Sequence, residues 1–269
     1  MRCERVLIVI LVLGYCLGVH ENSQAQQRSD PRVADLVQAE KLRAGVGVVA
    51  PHWAVKDQTT GELRGVAVEL ARALAGAIRV PLVLVEYPSP PKVLDGVKDD
   101  AWDVGFLAID PSRATVVDFS PPYLEIDATY LVPESSAIRT VADADRPGVR
   151  IAVTQKSVEE IVLTRATKNA ELQGVDTIPA GFDLLRAGKV DVLAAPRPAL
   201  VQFSARLPDS RVLEDRFHAA LAGVAVPKGQ AGRLSYVSEF VEQAKPSGLI
   251  QQAIDRSGVR GVQVAITPR

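Results

Sequence analysis

Two cysteines stand in this 269-residue chain, Cys3 and Cys16, both close to the amino terminus. No disulfide framework and no cysteine-based metal site follows from them. Three histidines, His20, His52 and His218, lie far apart, so no ligand set has recognisable spacing. Aromatic residues make up only 5% of the sequence, and charges of both signs interleave to a net −1. Without a basic block or interleaved rings, a nucleic-acid surface is not indicated. Neither a G-x-S-x-G elbow nor an H-E-x-x-H pair occurs, so hydrolase chemistry is not indicated either. No cofactor and no metal are expected.

Long hydrophobic runs are also scarce. One apolar stretch, Val6 to Val19, follows the short charged start Met1-Arg-Cys-Glu-Arg5. It falls short of the roughly 20 residues that span a bilayer, and Gly14 and Gly18 interrupt it. Ser23-Gln24-Ala25 supplies small residues where a signal peptidase reads, which predicts residues 1–25 to be a secretory signal cleaved after Ala25. Tyr15, just before Cys16, argues against a lipoprotein site. The exported chain then keeps no cysteine, and its fold rests on packing alone.

What the sequence does contain is a repeated alternation of strand and helix. Val33 to Lys41 reads as a short helix and Gly45 to Ala50 as a buried strand stopped by Pro51. Val66, Leu70, Leu74 and Ile78 recur every four residues, which is one helical face. Val80 to Tyr87 reads as a strand, Pro91 to Asp99 as a helix, Val104 to Ile109 and Thr115 to Phe119 as strands. A similar series restarts downstream: strand Arg150 to Val153, helix Ser157 to Thr167, helix Phe182 to Ala187, strand Val190 to Ala195, then a helix with Pro198 in its first turn. Helices Ala231 to Lys245 and Leu249 to Arg256 follow. Two such series predict an α/β fold with a largely parallel sheet and two lobes, linked by the extended stretches Glu125 to Thr129 and His218 to Gly223.

Candidate sites are few. Gly45-Val-Gly-Val-Val-Ala50 matches a dinucleotide fingerprint, yet the glycines lie within the strand and Pro51 follows, where a helix should open. Ser157-Val-Glu-Glu160 is a capping box that makes a sound helix start and offers N–H groups to an anion. Arg113 sits on the turn after a buried strand, where its planar fork of donors suits a carboxylate. Trp53 is a ligand platform or a core residue; by itself the core is the simpler place for it.

Four matches in order resemble the family 3 bacterial extracellular solute-binding proteins, the periplasmic components of polar amino-acid ABC importers. They are Gly61-Glu-Leu-Arg-Gly65 through Ala71, Asp103-Val-Gly-Phe-Leu-Ala108 with Arg113 and Phe119-Ser-Pro-Pro-Tyr123, Gly148 to Ser157, and Gly188-Lys-Val-Asp191. The resemblance implies a two-lobed periplasmic-binding-protein-like fold of type II with a two-strand hinge. Its lobes would be residues 26–127 with 219–269, and 128–218. It implies a periplasmic monomer that closes over a small carboxylate ligand and docks on an inner-membrane permease. By that resemblance Arg113 clamps the ligand's carboxylate and Ser157 supports it from the other lobe. Phe106, Leu107 and Ala108 line the cleft, Trp53 stands at its mouth, and Gln155, Pro196 and Arg197 complete the second wall.

The departures concern the amine. Where amino-acid binders carry an aspartate for the ligand's ammonium, this sequence has Pro196 followed by Arg197, while Ala108 and Asp110 replace common small hydroxyl residues and Lys156 a glycine. Asp110 or Glu159 is left to supply the missing charge, or the ligand is an organic acid without an amine. A second function on the same scaffold is a cyclohexadienyl dehydratase-like lyase, with Glu159 as its general acid.

Overall fold

The computed structural model describes residues 30–37, 40–155 and 157–266. The expected signal segment and Lys156 lie outside these. The first helix, α1 (Pro31–Leu36), begins before the expected Val33, because Asp30 accepts the Arg32 N–H at 2.9 Å and Pro31 occupies the first turn. Strand β1 (Leu42–Gly47) leads into a small hairpin, β2 (Val55–Lys56) with β3 (Leu63–Arg64). Gly65 then turns the chain at φ +146°, where a Cβ would collide with the Trp53 carbonyl and stand 2.8 Å from that of Pro51. Helix α2 (Val66–Ile78) buries the four-residue stripe expected for it. Strand β4 (Leu82–Tyr87), helix α3 (Pro90–Lys98), strand β5 (Val104–Ala108) and the short β6 (Val117–Phe119) follow.

The long β7 (Leu124–Pro133) leaves this first unit. The second unit contains β8 (Arg150–Thr154), α4 (Val158–Ala166), β9 (Glu171–Val175), α5 (Ile178–Arg186), β10 (Val192–Pro196), α6 (Arg197–Ser204) and β11 (Ser210–Val212). The equally long β12 (His218–Pro227) returns, followed by α7 (Ala231–Ala244), α8 (Leu249–Ser257) and β13 (Val262–Val264).

One sheet runs in the order β4-β1-β5-β12-β7-β10-β8-β9. Pairs β1–β4, β1–β5, β8–β10 and β8–β9 are parallel, while β7 and β12 are antiparallel to each other and to their outer neighbours. Helices cover both faces, and the apolar side chains form separate cores on the two sides of these central strands. Two cores hold residues of the first unit and the returning segment. The other two hold only residues between Tyr130 and Phe217. The architecture is therefore two-lobed α/β, with β7 and β12 passing between the lobes.

The two lobes use one device at the base of their parallel strands. The Asp103 carboxylate accepts the Arg43 backbone N–H at 2.8 Å and pairs with its guanidinium, while the Asp103 N–H donates to the Arg43 carbonyl at 2.9 Å. Asp191 repeats the pattern on Arg150, at 2.9 Å for each backbone bond. The aspartates of the two sequence motifs are thus strand clamps, at the end of each sheet remote from the lobe junction.

Candidate functional site

The carboxyl ends of β5 and β10 converge on the crossing strands. Ala108, last in β5, pairs with Ala222 of β12, which pairs in turn with Leu124 of β7. Pro196, last in β10, pairs with Ala128 of β7, whose other neighbour is His218 of β12. Both strand ends therefore run toward the junction from opposite lobes. Crevices at the carboxyl ends of parallel strands are where α/β sheets place ligands. The turns carrying Arg113 and Ser157 continue directly from β5 and β8.

Arg113 is held on a built turn. The Asp110 carbonyl accepts the N–H groups of Arg113 and Ala114, each at 3.1 Å, and the Asp110 carboxylate accepts the Ser112 N–H at 2.8 Å and its hydroxyl. Those bonds hold the Asp110 carboxyl below its ordinary pKa. The Arg113 Nη1 donates to the Ala108 carbonyl at 2.9 Å. No carboxylate pairs with this guanidinium among the described residues, and its other donors are open. Burial lowers its pKa, only partly offset by attraction to Asp110. Arg32, Arg43, Arg150 and Arg216 shift the opposite way, each raised first by a hydrogen-bonded aspartate. Arg113 is thus a partly desolvated cation with no paired carboxylate among the described residues.

In the second lobe, the Ser157 Oγ accepts the Glu160 N–H at 3.1 Å and caps α4, which leaves its hydroxyl hydrogen free to donate. Gln155 is exposed, its backbone bonded to Val175 and its side chain laid over Gly174, where a Cβ would stand 2.7 Å from the Gln155 Cγ. Pro196 is partly exposed at the strand end and opens α6.

Arg197 is already committed. Its Nη1 donates to the Leu213 carbonyl at 2.7 Å and its Nη2 to those of Glu214 and Asp215 at 2.9 and 3.1 Å. Its Nε lies 3.5 Å from Asp127 on β7, and its stem fills the space over Gly261, where a Cβ would come within 2.5 Å of the Arg197 Cγ. The donors of Arg197, expected at the ligand, bind Asp127 of β7 and the segment leading into β12, at the junction of the lobes.

Trp53, Phe106 and Leu107, expected at the mouth and wall of the cleft, are all buried in this structure. Trp53 is 5% exposed within the first core, and alternation along β5 sends Phe106 and Leu107 to buried positions on opposite sheet faces. Only Ala108 of that strand end is partly open.

His52 has a significance the sequence does not advertise. It is 9% exposed, lies 5.2 Å from the Trp53 ring, and its Nδ1 has no partner. Desolvation pushes its pKa from 6.5 down to about 4. The signal available in the sequence is a lone polar residue within the apolar stretch Val46 to Val55. Among the described residues no group of acidic, histidine or cysteine side chains could hold a metal, and no helix is long and apolar enough to cross a membrane.

Known proteins place this geometry. The model of bacterial extracellular solute-binding proteins, family 3, matches residues 42–258. Over 248 residues the chain is 22% identical to the ABC transporter glutamine-binding protein GlnH of Bacillus subtilis (strain 168), covering 90% of each. A putative ABC-transporter binding component from Wolinella succinogenes DSM 1740, complexed with lysine, has a TM-score of 0.68 at 25% identity, with 81% of this chain and 96% of that one covered. An ancestral amino-acid-binding protein, a precursor of cyclohexadienyl dehydratase, has a TM-score of 0.65 at 24% identity, with 83% and 98% covered. With its two lobes and paired crossing strands, this chain belongs to the family 3 bacterial extracellular solute-binding proteins.

Proposed function

We propose that this solute-binding protein of the amino-acid ABC transporter family grips the carboxylate of a small solute with Arg113 from the first lobe. Ser157 and the open N–H groups of α4 meet the same carboxylate from the second. The lobes, residues 26–127 with 219–269 and residues 128–218, close about β7 and β12, and the closed monomer presents the solute to a periplasm-facing permease. The observation that carries this reading is the half-buried Arg113 guanidinium, which among the described residues has one backbone acceptor and no carboxylate. A planar fork of donors in a desolvated setting binds carboxylate bidentately and strongly. Ala108 and Pro196 border the space from the two lobes, with Gln155 on the second wall.

The protein is a binding protein rather than an enzyme, as the transporter relatives are. A lyase on this scaffold would need Glu159 enclosed as a general acid. Glu159 is partly exposed in the first turn of α4.

Small-angle scattering with and without ligands tests the reading. A carboxylate that binds shrinks the radius of gyration, as lobe closure requires. Binding of such a ligand at unchanged dimensions contradicts it.

A further inference from the structure

We infer that Asp127 is the pivot about which the lobes turn, and that Arg197 and Arg216 latch it, holding the lobes at one angle. The inference goes beyond the carboxylate reading of Arg113 and does not depend on it. It starts from one edge of β7. There Ile126 pairs with Val262 of β13, from the first lobe, and Ala128 pairs with Pro196 of β10, from the second. Asp127 is the residue between them, where the strand passes from one lobe's partner to the other's. Strands β13 and β10 both pair with β7 and not with each other, so β7 can bend at Asp127 without breaking a ladder between them.

The side chains at this point cross from lobe to lobe. The Asp127 Oδ1 accepts from the Arg216 Nη1 at 2.6 Å, and its Oδ2 lies 3.5 Å from the Arg197 Nε. Both arginines belong to the second lobe: Arg197 opens α6, and Arg216 stands two residues before β12. The Arg216 Nη1 also bonds Glu125, two residues before Asp127 on the same face of β7. Glu125 in turn accepts from Gln263 of β13 at 3.1 Å, and the Arg197 stem lies on Gly261, the residue before β13. Through these two arginines the second lobe grips β7 and the closing segment of the first. The Glu125 and Asp127 side chains are only 13% and 20% exposed, so the attraction is stronger than in a fully solvated pair. A turn at Asp127 changes the distances from Arg216 to Glu125 and from Arg197 to Gly261. The latch therefore favours one lobe angle, and closure works against it.

The test is a spin-label distance distribution between Lys98→Cys on α3 and Thr164→Cys on α4, one exposed site in each lobe. It uses the chain from Gln26, which holds every described residue and no native cysteine. The labelled parent is compared, without solute, with Asp127→Asn, Arg216→Met and Arg186→Ala, the last removing an exposed pair on α5. The expected distribution is about twofold wider in Asp127→Asn and Arg216→Met, with the parent width kept in Arg186→Ala. A parent-like width in Arg216→Met overturns the latch, and so does equal widening in Arg186→Ala. A salt series on the parent tests the same claim with the latch residues intact. Arg216 is 43% exposed, so about 1 M salt, with a Debye length of about 3 Å, should widen the parent distribution as well. A width indifferent to salt overturns the inference and leaves the carboxylate clamp untouched.

Discussion

The Arg113 guanidinium donates to the carbonyl of Ala108 at 2.9 Å, so the end of β5 itself aims the cation. The bond orients the side chain without neutralising it, because a neutral carbonyl leaves the positive charge uncompensated. Every other arginine whose pKa shifts clearly has a carboxylate to balance it. A fixed and unbalanced cation at a strand end is preorganised for an anionic ligand.

Arg197 supplies the contrast. Its three carbonyl acceptors lie in the segment between β11 and β12, and its stem packs on Gly261. Arg197→Met is expected to weaken ligand binding by no more than about tenfold, while lowering stability by about 2 kcal/mol through the carbonyls it strands. Gly261→Ala, which drives a methyl into the same stem, is expected to act in the same direction. Urea unfolding and titration of both variants check this; loss of binding in Arg197→Met with unchanged stability would return Arg197 to the site.

The buried histidine makes stability depend on pH. His52 is held neutral, with a folded pKa of about 4 against 6.5 when solvated. The folded state therefore binds fewer protons, and its advantage, complete above pH 6.5, is lost as pH falls through 4. The full loss is about 3 kcal/mol. Urea midpoints measured between pH 7 and pH 4 should fall, and the fall should be shallower in His52→Asn. Parallel pH profiles for the two proteins would rule out this origin.

The clamp under the first sheet is expected to be more costly to break than surface pairs. Asp103 is fully buried, with Arg43 at 2.8 Å and Arg233 at 3.7 Å. Asp103→Ala removes the buried acceptor of the Arg43 N–H and a carboxylate that both guanidinium groups face, at a cost of about 3–5 kcal/mol. Arg186→Ala, which removes an exposed pair with Asp183, should cost less than about 1 kcal/mol. Chemical denaturation compares the two, and equal losses would contradict the placement of Asp103.

The parallel strands were legible in the sequence because burial on both faces leaves continuous apolar runs, as at Val104 to Ala108 and Val192 to Ala195. Strand β9 was not, since Glu171, Gln173 and Gly174 are exposed on its edge and no apolar alternation marks it. The stretches Glu125 to Thr129 and His218 to Gly223 read as extended, but their full reach, Leu124–Pro133 and His218–Pro227, depends on partners from both lobes. Helix α1 was displaced because its start is set by the Asp30 cap and Pro31 rather than by the apolar spacing.

The turn that carries Arg113 is legible in the sequence because it is local: Asp110, Ser112 and Ala108 are all within five residues. The hydrogen bonds of Arg197 are not legible there, because its acceptors lie 16 to 18 residues away. Trp53 and Phe106 are aromatic residues whose burial is decided by α2 and by the second half of the chain, neither of which a strand-end motif specifies.

The most direct test of the central claim is a thermal-shift comparison of wild-type protein and Arg113→Ala against a panel of small carboxylic acids and their amides. Ligands that bind the native state raise the melting temperature. At least one free acid should stabilise the wild type while its amide does not, and the shift should vanish in Arg113→Ala, a loss of about 100-fold or more in affinity for a charge-assisted contact. An equal shift in Arg113→Ala, or equal stabilisation by acid and amide, would contradict the claim.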